Sequence, residues 1–405
     1  MKIGKFAEIN NISKDTIRHY MYLGLIVPEK LGGQYDFDER CKNSLNRILN
    51  LKNMGFTLNE IKIIFTFRVL GNLIPYEEEE YYKTIFMNKY ENLIKDIENL
   101  TNIKNRLKKK IDEISKEKSK KKFTLGIHIS TLNLLRCLKC NGELGIVDGT
   151  IKDNQIIYGK LRCNCNEEYI IEDGILRVDD YYRESELNLF SGDISEYINV
   201  TDSDYLDNVY KGIKWIDKKV DFNNVKDKVI LELGSGFGFY LRNIYNKLSD
   251  NSVYIAVDYD LARHRFLKGI IERAECRKNI IFLCTDFLQI PIKSKSVDMV
   301  VDFSGTSNYN FENEEFLLEQ MGKYVKDSGY LIGTYILFKN FSTNSLIEEK
   351  YRKNFVMENV KTKIYNLGYK CIDDKVSDYV EEGGKYEGFF VKGEKVYNYI
   401  FYGKR

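Results

Sequence analysis

The sequence has no run of apolar residues long enough to cross a bilayer, which would need about 18 in succession. Its first residues also lack the apolar core of a signal peptide. These two absences predict a cytoplasmic protein without a membrane partner. The chain has 405 residues, of which 43% are hydrophobic, so it is long enough for two or three globular domains.

Basic and acidic residues are both abundant, but they are unevenly distributed along the chain. Residues 1–122 contain 24 basic and 17 acidic residues, a net charge of +7. The rest of the chain contains the other 38 of 62 basic and 43 of 60 acidic residues, a net charge of −5. This asymmetry predicts that the N-terminal region binds a polyanion. The alternative is that the lysine-rich run 108–122 is only a solvated helix end.

The eight cysteines fall into two groups. The first group is isolated in the sequence and is interpreted as core or surface thiols: Cys41, Cys276, Cys284 and Cys371. The other four lie within residues 137–165, and in a cytoplasmic chain this clustering indicates a metal site rather than disulfides.

Residues 1–76, the head, contain a helix-turn-helix pattern. A short apolar helix is predicted over residues 3–10, followed by a turn. Ser13 is a favourable N-cap for a second helix that ends at Gly24, because its hydroxyl can accept from the free amides of the first turn. The polar face of this second helix is predicted to enter a DNA groove. Its outward-facing residues are Lys14, Thr16, Arg18 and His19.

A small wing and two more helices are predicted to complete the head, over residues 25–37, 38–54 and 57–67. This order of elements, with the segments Ser-Lys-Asp-Thr-Ile-Arg-His-Tyr and Leu-Gly-Leu-Ile-Val-Pro, resembles the MerR family of bacterial transcription regulators. The resemblance implies binding to double-stranded promoter DNA and to RNA polymerase. It also implies that Arg18 and Tyr20 lie at or near the DNA backbone.

The wing departs from the family pattern at Tyr35, where family members usually carry an arginine. A tyrosine hydroxyl can still donate a hydrogen bond to a phosphate, but it brings no charge. Tyr35 therefore predicts DNA binding with a smaller salt dependence than an arginine would give. The alternative for the whole head is a helix-turn-helix that serves only as a protein-docking module.

Residues 77–122, the connector, contain neither proline nor glycine between positions 81 and 118. Apolar residues recur there at spacings of three and four, which predicts a coiled coil. By resemblance to MerR regulators, two chains pair antiparallel through this helix, so the homodimer would place two heads on a two-fold-symmetric DNA site. The alternative is a helix that packs on its own chain. No cysteine lies between Cys41 and Cys137, which argues against metal sensing of the MerR type.

Residues 130–180, the ribbon, contain two cysteine pairs, Cys137 with Cys140 and Cys163 with Cys165. Pairs of thiolates on tight turns predict one structural Zn²⁺ with four thiolate ligands and no open coordination position. The pattern resembles the short zinc ribbon that precedes some methyltransferases, including certain ribosomal RNA methyltransferases. It departs from that pattern because Cys-x-Cys stands where Cys-x-x-Cys is usual. The alternative is a ribbon that has lost its metal.

Residues 195–405, the body, begin with a predicted buried strand over residues 228–234. The strand runs into a loop whose three glycines let backbone amides approach a ligand closely, at Gly234, Gly236 and Gly238. Carboxylates stand at the ends of three later predicted strands, at Asp258, Asp286 and Asp302. Strands that alternate with helices and end in ligand groups predict a doubly wound α/β sheet.

This series resembles the class I S-adenosylmethionine-dependent methyltransferases over about 180 residues. The resemblance implies that Glu232 lies near the methionine amine of the cofactor and that Asp258 binds its ribose. The complete set of implied cofactor-binding residues is Glu232, Gly234, Ser235, Gly236, Gly238, Asp258, Asp286, Phe287 and Asp302. The alternative is a dinucleotide-binding domain, although its Gly-x-Gly-x-x-Gly spacing is not met.

The methyl acceptor and any catalytic residue are not identified by the sequence. The segment after Asp302 lacks the Asn/Asp-Pro-Pro-aromatic pattern of enzymes that methylate base amines, which argues against a DNA adenine methyltransferase. His264 is predicted to be a surface residue rather than a proton acceptor. Candidate pocket residues are Tyr197, Ser304 and Tyr309.

The predicted fold class is therefore multidomain. It comprises an all-α winged helix-turn-helix with a long coiled-coil helix, a small β zinc ribbon, and an α/β doubly wound, Rossmann-like methyltransferase domain. The preferred hypothesis is a dimeric transcription regulator whose body binds S-adenosylmethionine or a substrate as a sensor. The alternative is an active methyltransferase on a small molecule or RNA whose head controls its own gene. DNA modification guided by the head is the least favoured hypothesis.

Overall fold

A computed structural model describes residues 1–71, 75–116, 121–178, 182, 193–220 and 226–405. Contacts divide the chain into an N-terminal unit, residues 1–118, and a C-terminal unit, residues 119–405. Among the helices of the described ranges, none is both long and apolar enough to span a bilayer.

The N-terminal unit contains five helices and a two-stranded sheet within its described residues. In chain order these are α1 (Ile3–Ile9), α2 (Lys14–Tyr22), β1 (Glu29–Leu31), β2 (Gln34–Asp36), α3 (Glu39–Asn53), α4 (Leu58–Gly71) and α5 (Pro75–Lys116). Ser13 caps α2 as predicted, because its side chain accepts a hydrogen bond from the Thr16 amide at 3.0 Å. The stacked rings of Phe6 and Phe37 join the first helix to the end of the wing in one apolar core.

Helix α5 has 42 residues and two different halves. Its first turns pack on α3 and α4, with the rings of Tyr81 and Phe67 stacked at 3.8 Å and Lys89 paired with Glu60 at 3.1 Å. Beyond Lys89, apolar side chains that are 39% to 63% exposed share one face of the helix, an apolar stripe formed by Leu93, Ile97, Leu100, Ile103, Leu107, Ile111 and Ile114. The last residues of the predicted connector include positions 117–120, which lie outside the described residues.

The C-terminal unit is built on one large sheet. Its strands are β3 (Ile127–His128), β4 (Leu144–Lys152), β5 (Gln155–Cys163), β6 (Glu168–Glu172), β7 (Ile175–Arg177), β8 (Val229–Leu233), β9 (Val253–Asp258), β10 (Asn279–Cys284), β11 (Val297–Phe303), β12 (Val325–Asn340), β13 (Lys370–Val376) and β14 (Lys395–Lys404). Its α-helices are α6 (Asp193–Val200), α7 (Ser203–Lys219), α8 (Phe239–Ile244), α9 (Leu261–Ile271), α10 (Gly305–Asn310), α11 (Leu317–Met321) and α12 (Met357–Asn366).

The strand order of the sheet is β13-β14-β12-β11-β8-β9-β10-β7-β6-β5-β3, with β4 also paired to β5. Strands β10, β9, β8, β11 and β12 are parallel to one another, and β14 is antiparallel to β12. The chain runs outward from β8 to β9 and β10 and then returns to β11 on the other side of β8. This reversal of strand order opens a crevice at the carboxyl ends of β8 and β11, which is where doubly wound sheets bind ligands.

The strands of the ribbon belong to this same sheet. Strand β7 pairs in parallel with β10, with Ile175 opposite Phe282. Side chains from both regions, such as Leu135 and Leu283, share one apolar core. The ribbon therefore gains support from the body, whereas the domain bounds drawn from the sequence remain predictions.

Candidate cofactor site and metal centre

A cavity of about 730 Å³ lies at the carboxyl ends of β8, β9, β10 and β11 in the C-terminal unit. Pockets for small molecules usually measure about 300–1,000 Å³. Seven of the nine residues implied to bind the cofactor line it: Glu232, Gly234, Ser235, Gly236, Asp258, Asp286 and Phe287. We call these residues, together with the glycine loop of residues 234–238, the loop side of the cavity. The sequence prediction thus describes residues that the fold brings together.

The glycine loop folds back tightly on the neighbouring strand. The amides of Gly234 and Ser235 both donate to the carbonyl oxygen of Val257, at 2.9 and 3.0 Å. Gly234 and Gly236 have φ angles of 73° and 48°, a left-handed conformation that favours glycine. The backbone can therefore line the cavity directly, because no side chain at these positions separates it from a ligand.

Asp258 connects the two loops that border the loop side. Its Oδ2 atom accepts from the Gly236 amide at 2.9 Å, and its Oδ1 atom accepts from the Asp260 amide at 2.9 Å. The residue is only 2% exposed. A carboxylate offers about four acceptor positions, so these two bonds leave capacity for the hydroxyl groups of a ligand.

Glu232 ends β8 in the wall of the cavity and is 1% exposed. Burial raises the pKa of its carboxyl to about 8, although Tyr254 lies close enough to oppose the shift. Its Oε2 atom has no hydrogen bond of good geometry among the described residues, and neither do the hydroxyls of Ser235 and Tyr240, which also line the cavity. Buried polar atoms in folded proteins are nearly always paired. A ligand that carries an ammonium group and polar atoms would fit this wall.

Two of the implied cofactor residues do not line the cavity and correct the sequence prediction. A side chain at Gly238 would come within 2.2 Å of Leu267, so this glycine permits α8 to pack closely on α9. Asp302 is completely buried, and its Oδ1 atom accepts from the Thr306 amide at 2.8 Å at the start of α10. Burial raises its pKa to about 6. Both residues therefore support the segments that line the cavity without lining it themselves.

The prediction that His264 is a surface residue is wrong. Its side chain is completely buried, because this face of α9 packs against β9 and β10. The Nε2 atom lies 3.1 Å from the Asp258 carbonyl oxygen and 2.9 Å from the Leu283 carbonyl oxygen, which only an N–H group can satisfy. Burial lowers the pKa of the imidazole. His264 therefore holds the ends of the two strands together and is not a cavity residue.

A second part of the cavity lining, the tyrosine side, is formed by Tyr197, Tyr205, Tyr386 and Glu387. The Tyr197 hydroxyl donates to Oε1 of Glu387 at 2.6 Å, and the Tyr205 hydroxyl donates to Oε2 at 3.1 Å. Burial raises the pKa of Glu387, whereas the two hydroxyl donors oppose that shift. Of these four residues the sequence indicated Tyr197 alone. The others come from α7 and from the loop between β13 and β14, and no motif joins them.

The remaining candidate pocket residues, Ser304 and Tyr309, also line the cavity. Ser304 has a φ angle of 64°, an uncommon conformation for a residue other than glycine, and its amide donates to Asp302 and Thr334 carbonyl oxygens. The ring of Tyr309 lies 6.4 Å from that of Phe287 in an edge-to-face arrangement. Through Phe287, Tyr309 contacts the loop side of the cavity.

The ribbon brings four thiols together, with the sulfur atoms of Cys137, Cys140, Cys163 and Cys165 all within 4.8 Å of one another. The closest pairs are Cys140 with Cys163 at 3.3 Å and Cys137 with Cys165 at 3.5 Å. Zinc–sulfur bonds of about 2.3 Å in a tetrahedron separate the sulfur atoms by roughly 3.8 Å, which lies within this spread. Both cysteines of the Cys-x-Cys pair therefore face the centre of the cluster.

Two thiols of the cluster differ in acidity. Although burial opposes ionisation of Cys137, the amides of Cys140 and Lys139 and the Tyr169 hydroxyl lower its pKa to about 7. The pKa of Cys140 is raised to about 12, chiefly by its hydrogen bond with Cys163. Tyr169 also accepts from the Leu138 amide at 2.7 Å, which fixes the first cysteine turn. The set of four sulfur donors fits a divalent metal that prefers sulfur ligands, such as Zn²⁺.

In the head, the residues predicted to contact DNA mostly lie on the surface. Four of them are exposed and Thr16 is half-buried, the exposed ones being Lys14, Arg18, His19 and Tyr35. Tyr20, which the resemblance places at or near the DNA backbone, is 2% exposed, and its ring belongs to the apolar core. Its contact with DNA stays a prediction. At the wing, Lys30 pairs in register with Tyr35, and its Nζ atom lies 5.9 Å from the centre of that ring.

Comparison with known proteins matches these two regions to two families. Residues 1–67 match the family described as MerR HTH family regulatory protein, and residues 230–329 match the family described as Methyltransferase domain. The chain combines a MerR helix-turn-helix domain with a methyltransferase domain. The methyltransferase match spans the strands from β8 to the start of β12, which carry the loop side of the cavity.

Individual relatives cover only parts of the chain. The MerR domain is 39% identical over 62 residues to the mercuric resistance operon regulatory protein of Bacillus cereus, and the match spans 15% of this chain and 47% of that regulator. An S-adenosylmethionine-dependent methyltransferase of Aquifex aeolicus is 18% identical, with a TM-score of 0.33, over 53% of this chain and 94% of its own. Phosphoethanolamine N-methyltransferase 2 of Haemonchus contortus is 15% identical, with a TM-score of 0.30, over 38% of this chain and 35% of its own.

Proposed function

We propose that this protein is a dimeric, DNA-binding transcription regulator whose methyltransferase domain binds S-adenosylmethionine. The observation that carries the proposal is the wall formed by Glu232, Asp258 and the glycine loop. It lies in the crevice of the sheet and contains buried polar atoms that have no hydrogen-bond partner in the described part of the chain, Oε2 of Glu232 and the Ser235 hydroxyl. The exposed polar face of α2 supports the DNA-binding part, since it presents two cationic side chains, Lys14 and Arg18.

Each residue of the loop side has a role in this proposal. Glu232 would face the methionine ammonium, because a positive charge offsets the cost of ionising a buried carboxylate. Asp258 would accept from the ribose hydroxyls, and Phe287 with Asp286 would hold the adenine. The glycine loop would contact the methionine chain through its backbone. S-adenosylmethionine supplies an electrophilic methyl group when it is bound.

The proposed dimer rests on the apolar stripe of α5. Its seven side chains are more than a third exposed, and exposed apolar patches of this kind mark association sites. Pairing of two such helices would place two MerR domains on a two-fold-symmetric promoter site. Contact with RNA polymerase and a location in the cytoplasm remain predictions from the resemblance and the sequence. The four thiols of the ribbon are proposed to hold one structural Zn²⁺.

The test combines two measurements on the full-length protein. Isothermal titration calorimetry with S-adenosylmethionine should show one site per chain. A gel shift with the DNA upstream of the protein's own gene should then be compared with and without S-adenosylmethionine. Binding to both ligands supports the proposal, and a DNA affinity that changes with S-adenosylmethionine supports a sensor. Absence of S-adenosylmethionine binding would contradict it.

Active methyl transfer is a second candidate function, which the tyrosine side of the cavity favours. The cavity continues beyond the residues assigned to the cofactor, so one chamber can hold two ligands. Positioning alone can drive methyl transfer to a nucleophilic atom, so no dedicated base is required. Transfer of tritiated methyl groups into the small molecules, RNA or DNA of a lysate tests this function, and label in none of the three fractions would favour the sensor.

A further inference from the structure

Among the described residues, the Glu387 carboxylate on the tyrosine side has polar partners but no paired cation. Both of its oxygens accept from tyrosine hydroxyls, Tyr197 at 2.6 Å and Tyr205 at 3.1 Å. Burial raises the pKa of this carboxyl, and the two hydroxyls are the groups in the described part of the chain that oppose the rise. A half-buried carboxylate is costly unless a charge or hydrogen bonds offset its loss of solvent. Here two hydroxyls fix its position, and its remaining acceptor sites can serve a ligand.

The charges that line the cavity are strongly unbalanced. The described lining residues include six carboxyl groups, on Glu196, Glu232, Asp258, Asp286, Glu312 and Glu387. Glu232 is mostly protonated at neutral pH because burial raises its pKa to about 8, and Glu196 is paired with Lys385 at 3.1 Å, so four carboxylates remain. The described lining residues also include one guanidinium, on Arg263, which lies 3.8 Å from Asp258 and 3.7 Å from Asp260 on the loop side. Such a chamber repels phosphates and carboxylates, so it disfavours RNA, DNA and acidic metabolites as the second ligand.

Aromatic rings stand beside Glu387. The ring of Tyr197 lies 5.4 Å from that of Phe239 and 6.2 Å from that of Tyr386. Faces of aromatic rings attract cations, and this attraction grows when water is excluded. Phe239 is the first residue of α8, directly after the glycine loop. The group formed by the rings and Glu387 therefore adjoins the proposed site of the methionine chain.

We propose that the tyrosine side binds a cationic amine as the second ligand of the cavity. Its charged nitrogen would lie against the Glu387 carboxylate and the ring of Tyr197, whereas Tyr386 already has Lys385 5.0 Å from the centre of its ring. This inference rests on the proposed function, because it assigns the loop side to S-adenosylmethionine and leaves the tyrosine side for the partner. It names the chemical class of that partner, an organic ammonium small enough for the cavity.

Three small probes of nearly the same shape but different charge can test the inference. Choline carries a trimethylammonium group, neohexyl alcohol is its neutral carbon isostere, and the tert-butylacetate anion carries a negative charge. Full-length protein would first be saturated with S-adenosylhomocysteine, and that binding would be measured by calorimetry. Saturation-transfer NMR would then rank the three probes, and competition among them would give their relative affinities.

The expected ranking is choline, then neohexyl alcohol, then the anion. Glu387→Gln keeps the shape of the side chain but removes its charge, and one tyrosine hydroxyl must turn to accept from the new amide group. It should weaken choline roughly tenfold, the size expected for one desolvated ionic contact, and leave neohexyl alcohol almost unchanged. Glu382→Gln is the matched control, because Glu382 lies in the same loop and is exposed.

Two outcomes overturn the inference, namely equal or better binding of the neutral or anionic probe, and unchanged choline binding in Glu387→Gln. Both are readable only on protein that binds S-adenosylhomocysteine. A protein that fails to bind S-adenosylhomocysteine contradicts the proposed function instead, so the two failures are distinguishable. S-adenosylhomocysteine binding by Glu387→Gln at wild-type strength would show that this variant retains its fold.

Discussion

The two units of this chain satisfy their apolar and polar groups in opposite ways. The N-terminal unit leaves a long apolar face on the surface, where Ile97 and Leu107 of helix α5 are 63% and 61% exposed. The C-terminal unit buries its apolar side chains in a large core but keeps carboxylates such as Glu232 inside it. The apolar stripe of the N-terminal unit lacks an apolar surface to pack against, and, among the described residues, the buried Glu232 of the C-terminal unit lacks a cation.

This difference indicates two kinds of missing ligand. An exposed apolar stripe is stabilised by another apolar surface, so the N-terminal unit calls for a protein partner. A buried carboxylate is stabilised by a cation, so the C-terminal unit calls for a charged small molecule. Variants that remove one kind of group but not the other can test whether the comparison is correct.

The largest effect is expected for the double variant Leu107→Asp with Ile111→Asp. A buried leucine or isoleucine contributes about 1.5–3 kcal/mol, and a dimer would lose four of them, or about 6 kcal/mol and more. Sedimentation velocity at micromolar concentration should therefore show a monomer. Asn102→Asp with Asn105→Asp is the control, since these residues lie on the opposite face of α5 and change the charge equally. A variant that remains dimeric would show that the apolar stripe is not the interface.

The next largest effect is expected when a thiol of the ribbon's cysteine cluster is removed. Cys163→Ser should remove the one equivalent of zinc that elemental analysis is expected to find per chain. The C-terminal unit should lose about 3–5 kcal/mol of unfolding free energy, less than the roughly 10–16 kcal/mol of isolated zinc fingers, because the ribbon strands pair with the body. Cys276→Ser, at an exposed cysteine outside the cluster, should change neither quantity. Equal zinc content in both variants would exclude this cluster as the metal centre.

A smaller loss is expected at Asp258, the carboxylate that joins the two loops. Asp258→Asn should weaken S-adenosylmethionine binding by roughly 10-fold to 150-fold, because hydrogen bonds to a charged group contribute about 1.5–3 kcal/mol. Calorimetry provides the measurement. The substitution Asp327→Asn at an exposed aspartate of β12 should leave the affinity within twofold of wild type. A wild-type affinity in Asp258→Asn would remove this residue from the proposed site.

The smallest expected effect is on the pH dependence of the free energy of unfolding, which the Glu232 carboxyl controls. Its pKa is about 8 in the folded protein, above the ordinary carboxyl value of 4.5. The folded state therefore binds its proton more tightly than the unfolded state, so stability falls as pH rises through this window and levels off above it. Between pH 7 and 9, wild type should lose about 1 kcal/mol relative to Glu232→Gln. Urea unfolding at several pH values measures this difference, and parallel curves would contradict it.

The same carboxyl gives a check on ligand binding. If a ligand ammonium lies beside Glu232, binding at pH 7 should release a proton, because the positive charge lowers the raised pKa. The calorimetric enthalpy would then depend on the ionisation heat of the buffer. Glu232→Gln should abolish that dependence and weaken S-adenosylmethionine.

The sequence predicted most of the fold and about half of the cavity. The loop side could be predicted because Glu232, the glycine loop and Asp258 lie at or just after the carboxyl ends of parallel strands, and those ends meet at one edge of the sheet. The thiol cluster was readable for a similar reason, because short turns bring each cysteine pair together. Residues of this kind are recognisable from local spacing.

Other features depended on contacts between distant segments. Glu387 and Tyr197 are 190 residues apart in the chain, and neither lies in a recognisable motif. The burial of His264 follows from which face of α9 packs on the sheet, and that face also buries Lys268 beside Glu272. A helix with polar residues on its buried face gives no clear periodic signal, so its orientation is not apparent from the pattern.

The sequence alone determined that a helix-turn-helix, a four-thiol cluster and a glycine-loop sheet occur on one chain, because each depends on residues close together in the sequence. Only the tertiary structure decided that the ribbon strands extend the body's sheet and that tyrosines from α6 and α7 fix Glu387 in the cavity lining. The physical reason is that hydrogen bonding between strands and the positions of side chains in a cavity depend on packing between segments far apart in the chain.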